Sequence, residues 1–199
     1  MSRTRANDFE EKRHNLLLTA AHVFAVQGME KASMSQIARE AGVSKSLLYH
    51  YYPSKEELIF AIIHTHLAAL DAELAAADDE GLEHKARLQK LVATVLNEYR
   101  GADDQHKVQL NAVAALSDEQ RAAIRALERS IVGRFSAVIR EIHPDLDKPD
   151  RPLLMPVTMS LFGMMNWVYM WFREGGVVTR DDYAEMATTL ILEGVKAVR

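Results

Sequence analysis

Cysteine is absent from this 199-residue chain, which removes disulfides, thiolate metal ligands and cysteine nucleophiles together and fits a reducing compartment. Only five prolines and nine glycines interrupt it, so long helices are allowed. The segment MSRTRANDFEEKRHN carries no apolar run of signal-peptide length, and a cytoplasmic location is expected. No GxSxG elbow, P-loop, GxGxxG or HExxH string occurs. His64 and His66, two of the eight histidines, would point to different faces of a helix. Neither an enzyme nor a bound metal or cofactor is expected.

What is present is ordinary soluble-protein composition, 48% apolar and 26% charged, with an uneven charge distribution. Residues 1–55 hold eight Lys and Arg against five Asp and Glu, whereas 56–199 hold sixteen against twenty-three. A basic first quarter on an acidic remainder suggests two jobs, the first facing a polyanion. A solvated charged face explains so small an excess equally well.

Apolar residues recur at helical period almost throughout. Leu17, Ala20, Ala21 and Phe24 form one stripe that ends at Gly28, predicting a helix over 8–27. Ser33 with Gln36, and Ser54 with Glu57, carry the capping-box spacing, and Ser44 is a candidate cap between them. Short helices are therefore expected after Ser33 and over 45–52, followed by a long one over 54–77. The DDEG patch at 78–81 breaks the pattern. Further helices are expected near 82–100, 103–115, 118–142, 152–174 and 180–197, with Ser117 and Thr179 as caps and no confident strand. The fold class is all-α: a three-helix head over 1–55 and a helical bundle over 56–199, about nine helices in all.

Two short helices joined by a glycine-bearing turn describe a helix-turn-helix, whose second helix enters the DNA major groove. Residues 33–58, SMSQIAREAGVSKSLLYHYYPSKEEL, have this layout. Ile37, Ala38, Val43 and Leu48 are spaced to pack the pair onto Leu17, Ala21 and Phe24. Lys45, Ser46, Leu47, Tyr49, His50 and Tyr51 remain outward, a set of donors, aromatics and one apolar contact suited to phosphates and base edges. Lys45 is the single charged side chain on that face. Tyr49 fits equally well as an aromatic of the head's core.

The string resembles the TetR family of bacterial regulators, whose head carries T-x-x-x-I-A-x-x-A-G-V-S-x-G-x-L-Y-x-Y-F-x-S-K-E-x-L. It stands here as Ser33, Ile37, Ala38, Ala41, Gly42, Val43, Ser44, Leu48, Tyr49, Tyr51, Tyr52, Ser54, Lys55, Glu56 and Leu58. Ser46 replaces the usual glycine and Tyr52 the usual phenylalanine. The resemblance implies that Lys45, Ser46 and Leu47 face base edges and that Tyr49, His50, Tyr51 and Lys55 hold phosphates. Ser33 and Ser35 would add backbone contacts at the start of their helix. It also implies a homodimer on a palindromic operator, joined through the last two long helices, and a small-molecule effector enclosed by the bundle.

Leu153–Phe172 has no charge and fifteen apolar residues in twenty, enough by length for a membrane span. Pro156, Thr158, Ser160, Gly163 and Asn166 interrupt it, and a helix buried on two sides is the better reading. Its methionines suit either an irregular core or an adaptable pocket wall. Arg87, Tyr99, His106, Gln109, Arg121 and Asn166 are the polar candidates for an effector site, with Met159, Phe162 and Trp167 as apolar ones. Each polar candidate also reads as a surface or structural residue. The stretch GMMNWVYMWFREGG resembles the C-terminal region of TetR-like regulators of fatty-acid, steroid and aromatic-acid catabolism. That implies an acyl-CoA or aryl-CoA effector, whose anionic handle Arg87, Arg100, Lys107 or Arg121 would bind. A multidrug-efflux regulator taking cationic drugs, or a DNA-binding protein without a ligand, are the alternatives.

Overall fold

A computed structural model describes the backbone of residues 2–197 and the side chains of 11–112 and 114–197. The described chain is helical nearly throughout. In order come α1 (Ser2–Gln27), α2 (Met34–Glu40), α3 (Lys45–Tyr51), α4 (Lys55–Ala77), α5 (His84–Glu98), α6 (Asp103–Ala112), α7 (Asp118–Ile142), α8 (Leu154–Asn166), α9 (Val168–Trp171) and α10 (Arg180–Val195). Single 3-10 turns follow α6 and α7.

The helix boundaries follow the local chemistry. Ser33, Ser44, Ser54, Ser117 and Thr179 each accept a backbone N–H of the helix they open, which satisfies one of the donors a helix start leaves bare. At Ser117 the box is reciprocal, because Gln120 Oε1 accepts the Ser117 N–H at 3.0 Å. At Ser33 and Ser54 only half of the expected box forms. Gln36 donates instead to Glu40 at 2.8 Å, and Glu57 accepts from Gln120 at 3.0 Å.

Two expectations need correction. The helix expected over 152–174 divides at Trp167 into α8 and the single turn α9, leaving neither piece long enough to span a membrane. Between the helices expected over 118–142 and 152–174, where no confident strand is expected, stands a two-residue antiparallel ladder pairing Asp147 with Pro152 and Lys148 with Arg151. Among the described residues, α4 has the length and mean hydropathy, 1.5, to cross a membrane. Its Leu58, Ile59, Ile62, Ile63, Leu67, Leu70 and Leu74 are buried within the fold.

The chain forms two compact units. The first comprises the chain up to Leu67 with Gly101–Arg125, so that α6 and the start of α7 join the three head helices. Packing thus divides the chain elsewhere than the functional boundary expected at 55/56. The core of this unit is Leu17, Ala20, Ala21 and Phe24 of α1, Ile37 and Ala38 of α2, Leu48 of α3, Ile59 and Ile62 of α4 and Val108 of α6, all buried. Each large aliphatic side chain sealed here stabilises the unit by about 1.5–3 kcal/mol.

The second unit comprises Ala68–Arg100 with the chain from Ala126 onward. Within it α10 packs along α5, and α8 meets both. Leu88, Leu91, Val95 and Leu96 of α5, Phe135 and Ile139 of α7, Leu161, Phe162 and Met165 of α8, and Ala184 and Ala187 of α10 fill its core. Phe135 and Phe162 meet edge to face with centroids 5.0 Å apart.

Candidate nucleic-acid interface

The head presents α3 from a single anchor. Gly42 closes the turn after α2 with φ +66°, a conformation that side-chain-bearing residues rarely adopt, while Val43 N–H returns to the Ala38 carbonyl at 2.9 Å. Ser44 Oγ then accepts the Leu47 N–H at 3.1 Å and starts the helix. Leu48 is the one buried residue of α3. Its neighbours point outward as a consequence.

Lys45, Ser46, Leu47, Tyr49 and His50 are all exposed, and Tyr51 is half-buried. Tyr49 was open between core and surface in the sequence, and at 41% exposure it stands on the surface. The Lys45 ammonium lies 5.7 Å from the centre of its ring. The buried aromatic here is Tyr52, which meets Tyr51 edge to face. Ser33 and Ser35 are exposed at the start of α2, with the Ser33 hydroxyl engaged on the Gln36 N–H. These residues form one surface of cation, hydroxyls and aromatic edges, the mixture that binds phosphates and reads bases.

Lys55 departs from the rest of the set. Its ammonium donates to the Met29 carbonyl at 2.7 Å and to the Ala32 carbonyl at 3.4 Å, in a half-buried position.

The candidates for an effector site are distributed unevenly. Tyr99 and Asn166 meet: the Tyr99 hydroxyl donates to Asn166 Oδ1 at 2.9 Å, and burial pushes the phenol's pKa up, keeping it a neutral donor. Phe162, one turn earlier on α8, is buried in the same unit. Arg87 is not available as an anion handle. Only 7% exposed, it donates to Asp78 at 2.6 Å and to Glu141 at 3.2 Å, with Glu80 at 3.9 Å. The hydrogen bond to Asp78 raises its pKa further against the opposing effect of burial.

Arg121 is similarly committed, to the Leu116 carbonyl and the Asp118 carboxylate. It belongs to the first unit, as do His106, Gln109 and Lys107, so the sequence set does not converge within one unit. His106 is buried and faces His66, whose pKa is lowered to about 4, chiefly by burial and then by His106. Met159 and Trp167, expected at a pocket wall, are 48% and 58% exposed. Met155 on α8, Met170 on α9, and Met186 and Leu190 on α10 are exposed as well.

Sequence reading missed Arg180. It is buried at the start of α10, donates to Glu174 at 2.7 Å and to the Leu96 carbonyl, and has its guanidinium 5.0 Å from the Phe172 ring centre. Only the unusual placement of a cation at a helix N-terminus hinted at it.

Comparison with known proteins bears on this surface directly. Residues 16–62 match the model of bacterial regulatory proteins of the tetR family, and residues 81–195 that of the tetracyclin repressor-like C-terminal domain. The HTH-type transcriptional repressor KstR2 of Rhodococcus jostii is 28% identical over 192 residues, covering 92% of this chain and 91% of its own. A TetR-family transcriptional regulator from Bordetella parapertussis has a crystal structure with TM-score 0.83 and 34% identity over 93% of this chain and 96% of that one. AibR, solved with isovaleryl coenzyme A and operator DNA, has TM-score 0.74 and 25% identity over 90% of this chain and 97% of its own. The head built around Gly42 and Leu48 and the helical fold behind it are thus those of a ligand-responsive, DNA-binding transcriptional repressor rather than an enzyme, and the chain belongs to the TetR family.

Proposed function

We propose that the chain acts as a homodimer on a palindromic operator and leaves it when an acyl-CoA or aryl-CoA thioester binds the second unit. Lys45, Ser46 and Leu47 read base edges, while Tyr49, His50, Tyr51 and the start of α2 at Ser33 and Ser35 hold phosphates. The exposure of this set, with Tyr51 half-buried, around one buried anchor on α3 supports the assignment. The recognition helices of a dimer meet successive major-groove faces about 34–36 Å apart.

The exposure of Met155, Met159, Trp167, Met170, Met186 and Leu190 supports the dimer, since bare methionine, leucine and tryptophan side chains are suited to association. Sedimentation at micromolar concentration should give a dimer, and the double substitution Met159→Glu, Leu190→Glu a monomer that no longer retains operator.

The likeness to AibR, whose structure holds a thioester together with operator DNA, is the observation that carries the effector class. Tyr99 and Asn166 would orient the ligand, and Phe162 would receive its apolar part. Arg100, exposed two residues beyond α5 with Glu174 at 3.9 Å, would meet the ligand's anionic group in place of Arg87. Emptying the operator requires the ligand to prefer the released state by about 5.5 kcal/mol, which a thioester burying most of its acyl surface can supply. A panel of acyl-CoA, aryl-CoA and the matching free acids, read by thermal shift and operator release, tests this. A thioester should stabilise the protein and free the DNA. Stabilisation by a drug-like cation and by no thioester would instead mark a multidrug-efflux regulator.

A further inference from the structure

Lys55 occupies a position that local electrostatics disfavours. It is the first residue of α4, where the helix dipole presents its positive end, and the two residues after it are Glu56 and Glu57, the charges that belong there. Met29 and Ala32, the residues whose carbonyls it binds, lie in the turn that follows α1. That turn closes on itself through Gly28 N–H to Phe24 O at 3.0 Å and Ala32 N–H to Gly28 O at 3.1 Å, which leaves the Met29 and Ala32 carbonyls to find other donors. The last turn of α1 carries no basic residue, and Lys31 of the following turn is exposed, while the Lys55 ammonium is the cation bound to the carbonyls there. On another side Met29 borders a cleft of about 150 Å³, lined also by Phe24, Gly28, Lys107, Val108 and Asn111.

We infer that Lys55 is a positioning residue: its ammonium replaces the missing cation at the end of α1 and pins the α1–α2 turn to the start of α4, which fixes the pose of α2 and α3 for operator binding. The proposal rests on α2 and α3 being the DNA-contacting element. It assigns Lys55 a role different from the phosphate contact implied by family resemblance. The two roles separate in salt dependence, because each phosphate contact contributes about 0.9 to the slope of log affinity against log salt, whereas a staple inside the protein contributes nothing.

The test measures operator affinity from low to high salt, together with melting temperature, for the full chain and for Lys55→Met and Lys55→Gln. Lys45→Ala serves as the control on the DNA-binding face. Lys55→Met should lower operator affinity about tenfold, the equivalent of one charge-assisted hydrogen bond, lower the melting temperature and leave the salt slope unchanged. Lys55→Gln has no charge but keeps a donor for one carbonyl, and should recover part of the affinity at the same slope. A slope reduced by about one in both variants, or wild-type affinity in Lys55→Met, overturns the proposal. If the DNA-binding reading itself fails, Lys45→Ala leaves operator affinity unchanged, a result that does not depend on Lys55.

Discussion

The polar residues of α3 and those of α5 illustrate opposite uses of charge. On α3, Lys45, Ser46 and His50 stand in solvent around one buried leucine. On α5, Arg87 is buried against Asp78 and Glu141, and Tyr99 just beyond the helix is bound to Asn166. A cation in solvent keeps its hydrogen-bonding capacity for a partner that arrives later. A cation enclosed by carboxylates has already spent it on the fold. The difference distinguishes recognition from architecture more reliably than residue type, since arginine is the commoner anion binder of the two.

The largest effect that would test this contrast is at Arg87. Arg87→Ala leaves the half-buried Asp78 only the longer contact to Arg134 at 3.8 Å, and stability to urea should fall by about 3 kcal/mol while operator sequence preference is retained. A loss of thioester affinity with no loss of stability would return Arg87 to the effector site and break the comparison.

Acid should act on the first unit through His66. Its folded pKa of about 4 lies below the ordinary 6.5, so the unfolded chain takes up the proton first as pH falls. The contribution is therefore intact above pH 6.5 and is lost progressively between 6.5 and about 4, at a cost of roughly 2–3 kcal/mol. Urea melts of the wild type and of His66→Gln across that window should converge at low pH if this is correct.

Lys45→Ala should cost about 2 kcal/mol on operator and blur preference within each half-site, with little change in stability. Equal loss on operator and on random DNA, measured by fluorescence anisotropy, would remove Lys45 from base reading. The smallest effect belongs to Tyr99→Phe, which deletes the bond to Asn166 and should lower stability by about 1 kcal/mol. A thioester affinity that falls further than stability does would tie the pair to the effector.

The head was legible in the sequence because its determinants are local. Ser44 caps α3 three residues away, Gly42 makes the turn, and a seven-residue helix with one leucine inward has a definite outward face. The bundle was less legible because its partners are remote. Arg87 finds Asp78 nine residues back and Glu141 fifty-four residues on, and no spacing rule selects those carboxylates over the others. Met159 and Trp167 looked like pocket walls since composition alone does not say which side of an apolar helix is covered. The break at Trp167 likewise has no glycine or proline beside it to announce it.

That α3 is attached through Leu48, its one buried side chain, has a bearing on how such a protein can change. On the proposed reading, operator sequence and the stability of the head depend on different residues. Exchanging Lys45, Ser46 or Leu47 removes nothing from the core, and surface substitutions of this kind usually shift stability by within about 0.5 kcal/mol. Gly42 does not share this freedom: a Cβ placed there meets nothing within 4 Å, but its φ of +66° strains any residue that carries a side chain. New operators are thus within reach by single mutations that selection on folding would scarcely notice.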